Sequence, residues 1–121
     1  MVRGVRGATA VKENTENAIL EASAELLKTL VEENKVDTED IVSITFTVTT
    51  DLNAGFPARA ARNLGWTNVP LLCAQEIEVP GALPRCLRIL MLINTDIEQR
   101  DIRHIYLNEA ASLREDLYPS K

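Results

Sequence analysis

The segment Cys86-Leu87-Arg88-Ile89-Leu90-Met91-Leu92, followed by Ile93, is apolar at every position but one. Alternate side chains of a β-strand point to opposite faces of its sheet. One face of this strand would therefore carry Leu87, Ile89, Met91 and Ile93, and the other would carry Cys86, Leu90 and Leu92. A strand that is apolar on both faces is typical of a sheet that is covered on both sides.

Arg88 is the exception within this segment. A guanidinium group keeps its charge in proteins, so a buried arginine needs an anionic partner. A second apolar run, residues 69–76, ends with a thiol and a carboxylate three positions apart, Cys73 and Glu76. An arginine in an apolar row, together with these two groups, predicts a pocket for an anionic small molecule.

The overall composition is typical of one soluble globular domain, which we assign to residues 1–121. A net charge of −5 argues against binding to nucleic acid. Arginine outnumbers lysine among the 13 basic residues, and arginine is the residue that best recognises carboxylates. No apolar run follows Met1 or approaches the length of a membrane span, and two cysteines do not form a disulfide framework. We therefore expect a cytoplasmic protein without a membrane partner.

Hydrophobic periodicity predicts a mixed α+β fold. Apolar residues recur at helical spacing across residues 16–33, and Thr15 precedes them as a candidate N-cap. A short helix is expected from Pro57 to Gly65, with single helical turns near residues 37–40 and 97–102. Five strands are predicted at residues 2–11, 44–48, 69–74, 85–93 and 103–107.

These elements give a mixed sheet of about five strands that is covered by one long helix. A single helix can cover one face of such a sheet but not both. The second apolar face of the strand at residues 85–93 then needs another partner. Self-association is the simplest way to supply it.

Five segments together resemble one known family, and they span nearly the whole chain. They are Arg3-Gly4-Val5-Arg6-Gly7-Ala8-Thr9, Phe56-Pro57-Ala58-Arg59-Ala60, Val69-Pro70 through Glu76, Arg88 with its neighbours, and Arg103-His104-Ile105-Tyr106-Leu107, with Arg114-Glu115-Asp116-Leu117 after them. In this order they resemble the AroH-class chorismate mutases, the small trimeric α+β type rather than the all-helical type.

The resemblance implies a homotrimer in which the sheets of three subunits form a pseudo-barrel around a central axis. It implies active sites at the subunit interfaces. The implied activity is the conversion of chorismate to prephenate in phenylalanine and tyrosine biosynthesis, with no cofactor and no metal ion.

Family roles transfer to the residues of this chain that match. Arg6, Arg88 and Tyr106 would bind the substrate carboxylates and the ether oxygen. Cys73 and Glu76 would meet the ring hydroxyl, and Glu76 would also orient Arg88. The pocket would be lined or closed by Phe56, Arg62, Leu113 and Arg114. Arg59 stands where family members often have lysine, and Leu72 where a small polar residue can occur. The short tail after Leu117 weakens any role for the C-terminus as a lid.

Each residue also has a plainer interpretation. Arg88 and Glu76 alone would be typical of a structural ion pair, Cys73 of a small buried apolar group, and Tyr106 of the core. Arg59 and Arg62 would normally be solvated, and the only histidine, His104, is interpreted as structural because the chemistry gives it no task. Two other functions stay open: a trimeric deaminase of enamine or imine intermediates, and a non-catalytic trimeric sensor of a carboxylated metabolite.

Overall fold

The computed structural model describes residues 1–114, which form five strands, two α-helices and three short 3-10 helices. The strands are β1 (Val2–Ala10), β2 (Ile41–Val48), β3 (Leu71–Gln75), β4 (Cys86–Asn94) and β5 (Ile105–Leu107). The α-helices are α1 (Glu16–Glu33) and α2 (Ala58–Asn63), and the 3-10 helices are Thr38–Asp40, Gln99–Asp101 and Asn108–Arg114. The predicted α+β fold class is confirmed.

All five strands join one mixed sheet in the order β3-β2-β4-β1-β5. β4 is antiparallel to both of its neighbours, whereas β3 runs parallel to β2 and β5 parallel to β1. Arg88 lies opposite Ala8 of β1 and Thr47 of β2. The arginine is therefore at the centre of the sheet, with strands on both sides.

α1 covers one face of the sheet, and its predicted bounds are confirmed. The helix begins where Thr15 accepts a 3.1 Å hydrogen bond from the backbone N–H of Ala18, as an N-cap residue does. Its apolar row, which includes Leu26 and Leu30, is fully buried on the sheet. A Cβ atom at Gly7 would lie only 3.0 Å from a methyl group of Leu26, so glycine allows the helix to approach β1 closely.

The opposite face of the sheet, which we call the outer face, has no α-helix over it in the described chain, and only the 3-10 helix Asn108–Arg114 packs there, against Ala8 and Tyr106 near the β5 edge. β4 accordingly buries Leu87, Ile89, Met91 and Ile93 under α1, but leaves Leu90 44% exposed on the outer face. Leu72 of β3 is 63% exposed on the same face. As predicted, the single long helix covers only one face of the sheet, so the second apolar face of β4 is left partly exposed in one chain. What covers the outer face stays a prediction.

All five strands differ by one to three residues from their predicted bounds, and β2 begins at Ile41 rather than at residue 44. The late starts of β3 and β5 have identifiable reasons. β3 begins at Leu71 rather than at residue 69, since Pro70 has no N–H to donate and contributes only its carbonyl, which accepts from Ile44. β5 begins at Ile105 rather than at residue 103, because the side chain of Asn34 takes both backbone groups of Arg103. α2 is shorter than the helix predicted from Pro57 to Gly65: it begins at Ala58, with Pro57 at the N-cap position, and ends at Asn63. None of the described helices is long and apolar enough to cross a membrane.

Candidate active site

An ion pair and a hydrogen bond hold Arg88 on the outer face. Its Nε lies 3.5 Å from Oε2 of Glu76, and the side chains are 44% and 29% exposed. The hydroxyl of Thr47 donates to the same Oε2 at 2.7 Å. The backbone N–H of Glu76 donates to the carbonyl of Val48 at 2.8 Å, which fixes the residue just beyond β3. Glu76 therefore orients the guanidinium, as expected, and Thr47 orients Glu76.

Arg6, Arg88 and Tyr106 line one pocket of about 310 Å³ on the outer face, which we call the arginine pocket. They come from three adjacent strands, because β4, β1 and β5 are neighbours in the sheet. Its remaining lining residues are Gly7, Ala8, Thr45, Thr47, Ile89 and Leu90. Two guanidinium groups and a phenol in a partly apolar pocket suit a small, negatively charged ligand.

The 3-10 helix after β5 packs beside the arginine pocket. It begins at Asn108, which has a φ of 55° and whose Nδ2 donates to the hydroxyl of Thr9 at 3.0 Å. Leu113 packs against the buried cluster of Ala8, Tyr106 and Ala110. This contact places Leu113 next to two lining residues of the pocket. The side chain of Arg114 and the tail at residues 115–121, including the question of a lid, lie outside the described part of the structure.

Phe56, Arg59 and Cys73 line a different pocket of about 710 Å³, near the β3 edge of the sheet, which we call the edge pocket. Phe56 is 72% exposed there. Arg59 lies 3.7 Å from Glu16, with both side chains more than half exposed. Arg62 is exposed on α2 and lines neither of these two pockets. Within one chain, the structure does not bring this group together with Arg88.

Cys73 and Glu76 are also separated. Cys73 is paired with the buried Phe46, so its thiol lies on the helix-covered side of the sheet. Glu76 reaches the outer face, where it meets Arg88. The two side chains, which sequence reasoning joined at one ring hydroxyl, lie on opposite faces of a single chain. Leu72, which directly precedes Cys73, faces outward beside Thr45.

Cys86 is a neighbour of Arg88 that sequence reasoning treated only as an apolar residue. It lies two positions before Arg88 on the same face of β4 and is 2% exposed. Burial raises the pKa of the Cys86 thiol, and the positive charge of Arg88 opposes that shift only in part. The group beside the guanidinium is thus a neutral thiol at neutral pH and takes no charge from it.

The sequence also did not predict a role for Thr47 in the site. Its only sequence signal is the alternation of threonines 45, 47 and 49 with apolar residues, which predicts a half-buried strand and nothing more. The role of Thr47 arises because the pairing of β2 and β4 sets it opposite Arg88. That register depends on two strands about 40 positions apart in the chain.

A small α+β protein with a cationic pocket on an uncovered sheet face fits an enzyme or binding protein for an anionic metabolite. The family model for chorismate mutase type I matches residues 2–117, and the chain belongs to that family. It is 52% identical over 118 residues to a chorismate mutase AroH of Thermus thermophilus, with 97% of each chain covered. It is 46% identical to a chorismate mutase AroH of Bacillus subtilis, covering 100% of this chain and 96% of that one.

A solved structure agrees with these sequence relations. The chain superimposes on a chorismate mutase from Clostridium thermocellum with a TM-score of 0.89 and 50% identity, over 90% of this chain and 97% of that one. The resemblance to AroH-class chorismate mutases is therefore confirmed. So are the enzyme class, an isomerase with chorismate mutase activity, and its place in aromatic amino acid biosynthesis.

Proposed function

We propose that this chain rearranges chorismate to prephenate in the arginine pocket, within a homotrimer whose subunits share each active site. The observation that carries this proposal is the convergence of Arg6, Arg88 and Tyr106 from three adjacent strands onto one small pocket. Chorismate is a dianion with an ether oxygen and a ring hydroxyl. Two guanidinium groups match its two carboxylates in number and charge, and the phenol adds a further hydrogen-bond donor.

The reaction is an intramolecular [3,3] rearrangement, in which a C–O bond breaks while a C–C bond forms. No proton has to be transferred and no nucleophile is needed, so the residues have two tasks. They hold a flexible dianion in a compact, chair-like conformation. They also place positive charge where negative charge grows on the ether oxygen as its bond breaks. Neither task calls for a cofactor.

Arg88 suits the second task. It sits on the central strand, and Glu76 holds its Nε, so the planar fork is aimed before substrate arrives. We assign its terminal N–H groups to the ether oxygen and one carboxylate. Arg6 neutralises the other carboxylate, and Tyr106 donates a hydrogen bond. Thr47 and Arg88 both contact Oε2 of Glu76, and we assign its other oxygen, Oε1, to the ring hydroxyl.

The outer face supports the trimer. Leu90 and Leu72 are exposed in the single chain. Exposed apolar faces of this kind usually mark association sites. The edge pocket with Phe56, Arg59 and Cys73 is separate from the arginine pocket within one chain. We propose that the edge-pocket group of one subunit, together with Arg62, completes the arginine pocket of its neighbour, and that Leu113 and Arg114 close it. We further propose that the trimer works in the cytoplasm.

A chorismate turnover assay tests this proposal. Loss of chorismate absorbance, with prephenate appearing in equal amount, is the expected result for the wild-type chain. Saturable chorismate binding without prephenate would instead support the metabolite sensor. Turnover of an enamine or imine, with ammonia released and chorismate untouched, would support the deaminase. The same assay on Arg88 variants then locates the site.

A further inference from the structure

The imidazole of His104 extends the hydrogen bonding between β1 and β5. The backbone pairing of these strands runs from Gly7 opposite Ile105 to Thr9 opposite Leu107. One position before this pairing, the backbone N–H of Arg6 donates a 3.0 Å hydrogen bond to Nδ1 of His104. A side-chain nitrogen therefore accepts where the next carbonyl of a longer strand would otherwise do so.

His104 is itself fixed from the other side of the sheet. Asn34, at the end of α1, is 3% exposed and bonds both backbone groups of Arg103, at 2.9 Å to its carbonyl and 2.8 Å from its N–H. The same amide donates to the carbonyl of Leu30 at 2.9 Å. The residue before His104 is thus tied to the C-terminal end of the long helix. This buried anchor holds the backbone from which the His104 side chain extends.

The hydrogen bond matters because of where the Arg6 side chain goes. Arg6 lies opposite Leu90 of β4, and both line the arginine pocket. A long side chain keeps several rotatable bonds, so the aim of its guanidinium depends first on where its backbone is held. The segment that carries His104 also carries Tyr106, which is paired with Ala8. One short segment therefore sets two of the pocket's polar groups relative to each other.

We propose that His104 is a positioning residue, whose Nδ1 holds the backbone of Arg6 so that its guanidinium meets a substrate carboxylate. The proposal rests on the assignment of Arg6 to substrate binding. His104 acts through Arg6. This role requires a neutral His104 ring with the proton on Nε2, because Nδ1 must keep a lone pair to accept from the N–H of Arg6.

Matched substitutions test the role. His104→Asn keeps an acceptor close to the position of Nδ1, whereas His104→Gln carries its amide further out, and His104→Leu has no acceptor. A lost hydrogen bond that misplaces Arg6 should raise KM roughly three- to tenfold, with kcat nearly unchanged. The Leu and Gln variants should show this rise, and the Asn variant should stay within about twofold of wild type. If the Leu variant does not fold, the comparison of Asn with Gln gives the same answer.

A double-substitution cycle separates positioning from a general structural role. In an Arg6→Ala background, His104→Leu should raise KM no further, since the group that His104 positions is already gone. An equal rise in both backgrounds would overturn the proposal, as would a Leu variant with wild-type KM and an intact fold. Nitrogen-15 NMR of the single histidine gives a direct readout: a protonated Nδ1 in the neutral ring would also overturn it. Loss of chorismate turnover by wild type would instead refute the proposed function.

Discussion

Arg88 is positioned by two contacts that have different sequence origins. Its own strand could be predicted from a continuous apolar run, and its carboxylate partner from the end of another apolar run. The hydroxyl of Thr47, which donates to that carboxylate, could not, because the register of β2 on β4 is a tertiary property. Sequence reasoning thus reached the charged pair but missed the neutral group that supports it.

Arg88→Lys should lower kcat far more than it weakens substrate binding. Lysine keeps the charge but loses the planar fork, and the charge on the ether oxygen develops only as its bond breaks. Losing one well-aimed donor to such an oxygen typically costs about 3–4 kcal/mol, or roughly 10²–10³ in kcat. Steady-state kinetics on Arg88→Lys and on the matched surface variant Arg100→Lys is the measurement. A change confined to KM would show that Arg88 only binds substrate.

Arg6→Ala should raise KM far more than it lowers kcat, which is the opposite of the effect expected for Arg88→Lys. Neutralising a carboxylate helps the bound substrate and the transition state alike, so its loss mainly raises KM and leaves kcat less affected. Comparing the two arginine variants under identical conditions tests whether the pocket divides these tasks. Equal losses in kcat for both variants would contradict the division.

Thr47→Val should reduce kcat/KM by about tenfold, since the carboxylate that orients Arg88 loses a hydrogen bond worth about 1.5 kcal/mol or more. Thr47→Ser keeps the hydroxyl and is the matched control, with kcat/KM expected close to wild type. Kinetics of the two variants side by side is the measurement. If Val and Ser behaved alike, the hydroxyl of Thr47 would have no part in placing Glu76.

At the scale of elements, the loop into β4 depends on one carboxylate. Asp51 accepts from the backbone N–H of Arg85 with both oxygens, at 3.1 and 3.0 Å, and from the hydroxyl of Thr49. Arg85 has a φ of 46°, which is unfavourable for a residue with a side chain. The hydrogen bond from Thr49 lowers the pKa of Asp51, and the bond from Arg85 acts in the same direction.

The lowered pKa of Asp51 makes this contribution to stability dependent on pH. A carboxyl group with a lower pKa in the folded state stabilises the fold above its unfolded pKa of about 3.9, and the contribution disappears as pH falls through the folded value. Asp51→Asn should therefore destabilise the protein more at pH 7 than at about pH 3. Urea denaturation of wild type and variant at both pH values is the measurement. If the two proteins differed in free energy of unfolding by the same amount at both pH values, the ionised Asp51 carboxylate would not be the stabilising group.

The N-cap of α1 gives a second test at this scale. Thr15→Ala should lower the free energy of unfolding by about 1 kcal/mol, because the N–H of Ala18 loses its acceptor. Thr29→Ala is the control, since its hydroxyl only bonds the carbonyl of Glu25 one turn back, which adds little to helix stability. Urea denaturation at one protein concentration compares them. Equal losses of unfolding free energy in the two variants would show that the hydroxyl of Thr15 does not stabilise α1 as an N-cap.

The bounds of α1 could be predicted because its two signals, a capping threonine and helical periodicity, are local. The start of β5 could not, since Asn34 removes Arg103 from the sheet from 69 positions away. The side of the sheet on which Cys73 lies was missed for a related reason. Its pairing with Phe46, rather than its position in an apolar run, decides which face receives the thiol.

At the scale of the molecule, the outer face should assemble three copies. Light scattering or sedimentation at micromolar concentration should report a mass of about three chains. Leu90→Glu should lower that mass, because a charge would be buried between subunits. Lys28→Glu, on the solvated side of α1, is the control and should keep the wild-type mass. An active, stable monomer would refute the assembly and the shared sites together.

Shared sites also predict complementation between two inactive variants. Arg88→Ala and Arg62→Ala each remove one partner's contribution from every site. After unfolding, mixing in equal amounts and refolding, random trimers would contain both intact residues in about a quarter of their sites. Turnover should recover towards that fraction of wild type. No recovery, with mixed trimers present, would place both residues in the same subunit's contribution.

The uncovered face of the sheet has a consequence for the newly synthesised enzyme. A chain leaving the ribosome has its central arginine, ion pair and long helix, yet the proposed assembly leaves it without a complete catalytic chamber. The onset of activity would then depend on encounters between chains and would rise steeply with their abundance. A cell that makes few copies would hold a reserve of folded but idle subunits, and extensive dilution would return the enzyme to that state.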